Sequence, residues 1–297
     1  MSAGFIVVDK PPDITSHGVV ARMRGIAGTR KVGHGGTLDP MATGVLVIAL
    51  GKATKLLTYV SGLDKSYTAR VRLGQATVTD DAEGDITATH DPSAITDEQI
   101  ESALAPMRGS IQQRPSNVSA IKINGERAYK RVRAGEEVEI PSREVTISRL
   151  DCDSIHRGEF LDVDITVDCS SGTYIRAIAR DAGEALGVGG HLTSLRRTRV
   201  GEFWLSDAAT LDALQQNKDA GETLPMLQAG EVASRLMPTR EATDEEEKAL
   251  SYGQSLSAVG ITSAPYAVLN SGGELLAIVA ESGERAKPEV VFKAQGG

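Results

Sequence analysis

Short runs of apolar and alternating residues divide the first 200 positions into predicted strands. Gly4 to Val8 and Val45 to Leu50 are continuous apolar runs, which are typical of buried strands. Residues 67–73 and 161–167 alternate apolar with polar positions, and Val145 and Ile147 begin a similar pattern, as in a strand with one buried face. These strands are mixed with helical segments without a regular βαβ repeat. The pattern therefore predicts an α+β fold with a largely antiparallel or mixed sheet flanked by helices.

Three segments have the apolar spacing and the flanking residues of amphipathic helices. Thr15 or Ser16 can cap the first, and Thr96 with Gln99 forms a capping box for the second. A further helix is predicted from Lys52 to about residue 60. The predicted buried faces are Val19, Val20, Met23, Ile26 and Ala27, then Ile100, Leu104 and Met107, and then Ile175, Ile178, Ala179 and Ala182.

The last sixty residues differ in pattern from the rest of the chain. Short strand-like runs appear at Tyr266 to Leu269, Leu275 to Val279 and Val290 to Phe292. With 297 residues, the chain has room for about two domains of roughly 150 residues. We therefore predict a domain spanning residues 1–236 and a small β-rich domain spanning 237–297.

Composition indicates a folded protein of the cytoplasm. Apolar residues make up 40% and charged residues 24%, and the longest apolar run is far below the ~18 residues needed to cross a bilayer. The chain has 2 cysteines, Cys152 and Cys169, without a CxxC or a Cys/His cluster. We expect no membrane span, no disulfide framework and no metal site, and a reducing compartment.

The net charge of −8 conceals an uneven distribution. After residue 210 there are 13 Asp and Glu against 7 Lys and Arg, so the acidic excess lies mostly in the tail. Residues 14–38 contain four Lys or Arg and no acid, and a second basic run follows residue 108. Local patches of this kind can bind phosphates although the whole chain is acidic, but exposed helix faces would account for either run equally well.

The familiar catalytic motifs are missing, and one carboxylate remains as a candidate. The sequence contains no Walker motif, no GxGxxG fingerprint after a strand, no HExxH and no GxSxG. Asp39 lies in a glycine-flanked loop, five residues after His34. An aspartate before proline commonly starts a turn, and spacing alone favours that interpretation. A catalytic role would require that a cation hold the carboxylate in its ionised form.

The segment around this aspartate, Lys31 to Gly44, resembles the active-site motif of the TruB family of tRNA pseudouridine synthases. Gly35 departs from the pattern, since many members have threonine there, but the spacing from His34 to Asp39 is intact. Further matches cover roughly residues 4–200 in the family's order, and they are Asp9-Lys10-Pro11, Thr15-Ser16-His17, Lys65-Ser66-Tyr67, Pro115 to Lys122 with Gly125 and Tyr129, Ser171 to Arg176, and Leu195-Arg196-Arg197. The resemblance implies a pseudouridine-synthase fold, with a tail that loosely resembles the PUA RNA-binding domain.

The resemblance also implies roles for individual residues. Asp39 would be the catalytic carboxylate, either attacking the ribose of the target uridine or abstracting a proton there, and both routes remain open. The implied substrate-binding residues are His34, Tyr67, Tyr174, Arg176 and Leu195. Arg176 would pair with Asp39, while Tyr67 would stack on the flipped base and serve in the final proton removal. Without the resemblance, each has an ordinary interpretation as a surface or core residue.

Base flipping costs stacking energy, which contacts to the RNA backbone must offset. A basic arm at about 110–140 would provide these contacts, through Arg114, Lys122, Arg127, Lys130 and Arg131. The expected partner is the T-arm stem-loop of tRNA, modified at the uridine of position 55. We expect the protein to act as a monomer and to need no cofactor.

The sequence leaves open three alternatives to a tRNA-modifying enzyme that acts alone. One is the catalytic subunit of a guide-RNA-directed pseudouridylation complex, although such relatives usually carry a longer basic tail. Another is a chaperone that grips the tRNA elbow without catalysis. A third gives the acidic tail a role in protein binding.

Overall fold

We describe the protein from a computed structural model, in which residues 3–116, 140–261 and 265–292 are described, with the backbone of 122–123 and 126–127. The strands of these ranges are β1 (Gly4–Lys10), β2 (Val32–His34), β3 (Thr43–Leu50), β4 (Lys65–Leu73), β5 (Gln75–Thr77), β6 (Ile86–Thr89), β7 (Gly109–Gln113), β8 (Lys122–Ile123), β9 (Glu126–Arg127), β10 (Arg143–Arg157), β11 (Leu161–Cys169), β12 (Gly190–Val200), β13 (Phe203–Trp204), β14 (Ala209–Thr210), β15 (Leu227–Gln228), β16 (Thr239–Glu241), β17 (Leu256–Ser257), β18 (Tyr266–Leu269), β19 (Leu275–Ser282) and β20 (Arg285–Val291).

The helices are fewer and lie on both faces of the sheet. The α-helices of the described ranges are α1 (Ser16–Ile26), α2 (Leu57–Ser61), α3 (Asp97–Leu104), α4 (Ile175–Ala185), α5 (Leu211–Asp219), α6 (Ala229–Leu236) and α7 (Asp244–Ser251). The 3-10 helices are Gly51–Leu56, Ala105–Met107 and Leu205–Asp207.

Eleven of the described strands form one mixed sheet, with the order β14-β1-β3-β12-β4-β11-β10-β7 and with β2, β13 and β15 paired alongside. Most neighbours are antiparallel, but β12 runs parallel to β3, with Arg196 opposite Thr43 and Arg197 opposite Gly44. This pair brings the segment around Arg197 beside the start of β3 near the centre of the sheet. The predicted mixed sheet flanked by helices is confirmed.

Helices α1 and α4 pack on the sheet through the apolar faces that the sequence predicts. Val19 and Met23 of α1 share a buried cluster with Ile6 and Ile48. The matching residues of α4, which include Ile178, share another cluster with β4, β11 and β12. Thr15 caps α1 by accepting a hydrogen bond from the backbone of residue 18, so the sequence prediction of its start is confirmed.

Two predicted helices differ in detail from the structure. The segment predicted as a helix from Lys52 begins as a 3-10 helix and becomes α-helical only at Leu57, and no side chain caps its start. Helix α3 has the predicted capping box but ends at Leu104, because Pro106 has no N–H to continue the i→i−4 hydrogen bonds of the helix. Met107 therefore lies in a 3-10 turn, where it still packs against the core.

A second sheet of five described strands, β16-β18-β19-β20-β17, is formed after residue 238. It contains the predicted strands, although β19 and β20 are longer than the apolar runs in the sequence. This sheet has a core of its own, but Ile278 and Phe292 also share a cluster with Phe5 and Val7 of the large sheet. The two sheets therefore bury part of their apolar surface against each other.

Across the described part of the chain, no helix combines the length and the apolar character that spanning a membrane requires.

Candidate active site

The loop that carries Asp39 is fastened to three other parts of the protein. The ammonium of Lys10 donates to the Pro40 carbonyl at 2.8 Å, and the hydroxyl of Ser16 accepts from the Leu38 backbone N–H at 2.9 Å. The fully buried Arg197 donates to the Gly36 and Thr37 carbonyls of the same loop and to the Val45 carbonyl of β3. Because these contacts lie on both sides of Asp39, its backbone has little freedom to move.

Gly44 allows the loop to join the sheet beside Arg197. Its φ is +99°, and a Cβ atom there would lie 2.2 Å from the Arg197 carbonyl oxygen. Only glycine meets both the conformational and the steric condition at this position. The close approach allows β12 to run beside β3 and places the Arg197 side chain behind the loop.

Arg176 connects Asp39 to a second carboxylate. Its Nε lies 3.0 Å from Oδ2 of Asp39, and its Nη1 lies 3.4 Å from Oδ2 of Asp81. Nη1 also donates to the Thr79 carbonyl at 2.6 Å. The side chains of Arg176 and Asp81 are 5% and 4% exposed, whereas that of Asp39 is 36% exposed. The arrangement holds Asp39 by a buried cation while leaving the carboxylate accessible to a ligand.

A cavity of about 360 Å³ opens in front of this ion pair. Cavities of ~300–1,000 Å³ are usual for small ligands. The structure brings together five of the six predicted catalytic and substrate-binding residues, and these are Asp39, Tyr67, Tyr174, Arg176 and Leu195. Further lining residues with polar side chains are Thr37, Ser61, Lys65, Arg143, Thr173 and Arg197. The lining of the cavity thus combines aromatic and apolar groups with charged ones.

Tyr67 projects from β4 and is almost fully buried. Burial raises the pKa of its hydroxyl, so the phenol is neutral near pH 7. Lys65, two residues earlier on the same strand, donates to the Ser61 and Leu63 carbonyls at 3.2 and 2.6 Å. Burial lowers the pKa of Lys65 to about 8. The aromatic wall of the cavity therefore presents a neutral hydroxyl, and a lysine lies close behind it.

His34 lies in β2, and it is not among the described residues that line the cavity. Its ring packs edge to face on His17, with the centroids 5.4 Å apart. Burial, followed by the nearby His17 and Arg197, lowers the pKa of His34 and favours the neutral ring. Next to it, a side chain at Gly35 would collide with Val60, which explains locally why threonine does not fit here. The proposed stacking role of His34 stays a prediction.

Sequence reasoning assigned no role to several residues that build this site. Lys10, Lys65 and Arg197 occur within the quoted motifs, but nothing in the sequence shows that they are buried against the loop. Asp81 belongs to an acidic stretch that predicts only a loop. Arg143 carries no motif at all, and only the strand pairing of the folded chain brings it to the cavity.

The predicted RNA-binding arm lies largely outside the described residues. The side chains of Lys122, Arg127, Lys130 and Arg131 belong to that part, so their role stays a prediction. Arg114 is described, and its Nη2 lies 3.6 Å from Oε1 of Glu184 on α4.

Three family models match the chain in succession. Residues 24–175 match the TruB family pseudouridylate synthase N-terminal domain, and residues 176–242 match the tRNA pseudouridylate synthase B C-terminal domain. Residues 237–293 match the C-terminal model of tRNA pseudouridine synthase II.

Curated relatives match the chain over almost its full length. The chain is 52% identical to the tRNA pseudouridine synthase B of Arthrobacter sp. strain FB24, with 98% of this chain and 97% of the relative covered. It is 50% identical to the tRNA pseudouridine synthase B of Mycobacterium sp. strain KMS, with 99% and 97% covered.

Solved structures confirm the fold. The chain resembles one in the crystal structure of a Cbf5-Nop10-Gar1 complex, with a TM-score of 0.73, 27% identity and coverage of 98% of this chain and 85% of that one. A chain of an H/ACA RNP bound to a substrate RNA containing 2'-deoxyuridine gives a TM-score of 0.72 at 26% identity, with 99% and 86% covered. By its family models, its relatives and its fold, this chain belongs to the TruB family of tRNA pseudouridine synthases, which are isomerases.

Proposed function

We propose that this protein converts the T-loop uridine at position 55 of tRNA into pseudouridine, with Asp39 as the catalytic carboxylate. The observation that carries the proposal is the contact between Asp39 and Arg176 beside Tyr67, in one cavity. A carboxylate that is rigidly held, paired with a cation and accessible can act as a nucleophile or as a base.

The reaction needs no change in oxidation state. The C1'–N1 bond of the uridine breaks, the uracil turns, and C5 forms a bond to C1'. The proton on C5 is then removed and N1, freed from C1', gains a proton, so the number of protons on the base is unchanged. Asp39 acts at the ribose, by attack or by proton abstraction. Tyr67 stacks on the extruded base and takes part in removing the C5 proton, while Leu195 and Tyr174 exclude water from the detached uracil.

The guide-RNA-directed alternative has less support. The solved H/ACA structures share the fold at 26–27% identity, whereas relatives named tRNA pseudouridine synthase B share about half of all residues. The higher identity extends over both the catalytic and the C-terminal parts of the chain. A protein that acts on tRNA without a guide is therefore favoured.

The proposal is tested on an unmodified tRNA transcript incubated with the protein alone, with pseudouridine mapped by chemical labelling and mass spectrometry. Wild type is expected to modify the T-loop uridine, and Asp39→Asn is expected to bind the transcript without modifying it. Asp85→Asn changes an exposed acid of the neighbouring acidic loop and should retain activity. Tight binding with no pseudouridine from wild type would reject the synthase and favour the tRNA chaperone.

We propose that residues 1–236 form the catalytic domain and residues 237–297 an RNA-binding domain. Deleting the second would expose Phe5 and other apolar residues of the shared cluster, so surface substitutions give a cleaner test. Arg285→Gln with Lys287→Gln on β20 is expected to lower tRNA affinity, with Glu284→Gln as the control. Unchanged affinity would instead favour a protein-binding role for the acidic tail.

We further propose that the protein acts in the cytoplasm, on the T-arm of tRNA, as a monomer. A T-arm stem-loop should be modified as readily as the full tRNA. Light scattering should give the mass of one chain for the protein alone, and of one chain plus one tRNA for the complex. A stable dimer that modifies tRNA would contradict the monomer.

A further inference from the structure

Among the described residues, four cationic side chains line the cavity beside Asp39. Three of them already bind carbonyls or carboxylates of the protein. Arg197 donates to three backbone carbonyls, Lys65 donates to two carbonyls, and Arg176 contacts two carboxylates. All three are less than 7% exposed. The fourth, Arg143, is only half-buried and lies at the start of β10. It differs from the others in facing both the cavity and the solvent.

Within the described part of the chain, the guanidinium of Arg143 is held by an aromatic ring and a carbonyl and not by a carboxylate. Its Cζ lies 4.7 Å from the centroid of the Tyr174 ring, and its Nη2 donates to the Gly172 carbonyl. Among the described residues, no carboxylate forms an ion pair with it. A stacked guanidinium keeps its in-plane N–H donors, and these suit the planar, bidentate recognition of a phosphate.

The surroundings of Arg143 hold Tyr174 from two sides. Gln113 is the cross-strand partner of Arg143 and is 1% exposed. The Gln113 amide accepts from the Tyr174 backbone N–H at 2.8 Å and donates to the Tyr174 carbonyl at 3.0 Å. Tyr174 thus has its backbone fixed by Gln113 and its ring covered by Arg143. Arg176, which pairs with Asp39, follows two residues later at the start of α4.

A nucleotide whose base is extruded into this cavity has its flanking phosphates at the entrance of the cavity. Extrusion rotates the nucleotide about its backbone, so the flanking phosphates stay near the entrance while the base goes inward. The charge of a phosphate close to Asp39 requires a cation there, and the three buried cations are already engaged by the protein.

We propose that Arg143 binds a phosphate next to the extruded uridine while its stacking holds Tyr174 as a wall of the cavity. This inference rests on the proposed function, because it takes the cavity to receive a uridine of tRNA. Arg143 then has a dual role, contacting the substrate through its N–H groups and positioning Tyr174 through its plane. The same side chain then contributes both to substrate binding and to the shape of the pocket that receives the base.

The test measures tRNA affinity against KCl concentration, with all proteins carrying Asp39→Asn so that no turnover occurs. Loss of one phosphate contact reduces the slope of log K against log salt by about 0.7 for a single strand. Arg143→Gln is expected to show this reduction. Arg143→Lys is expected to keep the slope of the protein that carries Asp39→Asn alone. Arg149→Gln is the matched control, since Arg149 lies on the same strand but is exposed and paired with Asp151. Equal slopes for Arg143→Gln and Arg149→Gln would overturn the phosphate contact.

The location of the contact is tested with T-arm stem-loops that carry one neutral methylphosphonate linkage at a time. Neutralising a linkage that flanks the target uridine should weaken binding of the stem-loop several-fold when the protein has Arg143. The same neutralisation should have little further effect on binding by Arg143→Gln. Additive losses at both flanking linkages would overturn the proposal.

The role of Arg143 in positioning Tyr174 is tested in proteins with an intact Asp39, by comparing the effect on tRNA affinity with the effect on kcat. Arg143→Lys keeps the charge but loses the planar stacking on Tyr174, so kcat should fall while tRNA affinity persists. A wild-type kcat for Arg143→Lys would show that the stacking has no role. If wild type itself forms no pseudouridine, the proposed function fails, whereas the salt slopes still report on the phosphate contact.

Discussion

Nε of Arg176 lies 3.0 Å from Oδ2 of Asp39, although 137 positions separate the two residues in the chain. The aspartate lies in the loop between β2 and β3, and the arginine lies in the first turn of α4. On its other side the same arginine contacts Asp81. A single buried cation is therefore shared by one accessible and one buried carboxylate.

Asp81→Asn should reduce the rate of pseudouridine formation. The change keeps the shape of the side chain but removes the charge that holds Arg176 from behind, so the arginine is less firmly placed against Asp39. We expect kcat to fall at least 10-fold, about 1.4 kcal/mol, with tRNA affinity little changed, as measured by single-turnover kinetics. Asp80→Asn is the matched control, since Asp80 pairs with Arg180 instead. Equal effects of the two substitutions would contradict this role for Asp81.

Tyr67→Phe should separate stacking from proton transfer. The ring remains in the wall of the cavity, but the neutral hydroxyl is lost. If the hydroxyl takes part in moving the C5 proton, kcat should fall by about 10²–10⁴, with an unchanged tRNA dissociation constant. Tyr67→Leu should in addition weaken binding of the extruded base. A Phe variant with wild-type kcat would assign Tyr67 to stacking alone.

Gly44→Ala should destabilise the fold. The backbone there has a φ of +99°, and the new methyl group would overlap the Arg197 carbonyl. Strained backbone and overpacking each cost about 1–3 kcal/mol, so the free energy of unfolding should fall by roughly 2–6 kcal/mol in urea denaturation. Gly25→Ala, inside α1 with no atom within 4 Å of the new Cβ, should instead be neutral or slightly stabilising. Similar losses for both variants would contradict the steric argument.

Lys10→Met should change how stability depends on pH. Burial lowers the pKa of Lys10 to about 8 in the folded protein, against an ordinary value of 10.5. Between pH 8 and 10.5 the unfolded chain binds more protons at this group than the folded one, so its contribution to stability rises with pH there. The rise is at most about 1.4 kcal/mol per pH unit, and it is lost as the pH falls to 8. Removing the group should therefore make the pH dependence of the unfolding free energy shallower in this window.

The control for this measurement is Lys52→Met, an exposed lysine of a 3-10 helix. It should leave the pH profile as in wild type. A Lys10→Met profile that matches wild type between pH 8 and 10.5 would show that the Lys10 ammonium is not desolvated in the folded protein.

Much of the local structure follows from pattern alone. The apolar face of α1 and its cap at Thr15 are local features, as is the alternation that places Tyr67 on the inward face of β4. Where prediction failed, a neighbour in the chain was responsible, as with Pro106, which ends α3 at Leu104 before Met107. Such a case depends on the missing N–H of proline, which acts within a single helical turn.

By itself, the sequence determined the α+β class, most strands and the motif that contains Asp39, because periodicity, caps and glycine-rich spacing act over short distances along the chain. Only the tertiary structure decided which cations surround that aspartate. Arg176, Arg197 and Arg143 come from distant segments, and each takes its place through strand pairing or helix packing that no local pattern encodes. Burial then separates the arginines that hold the protein together from the one that faces the solvent, because a charge removed from water must be paired by the protein itself.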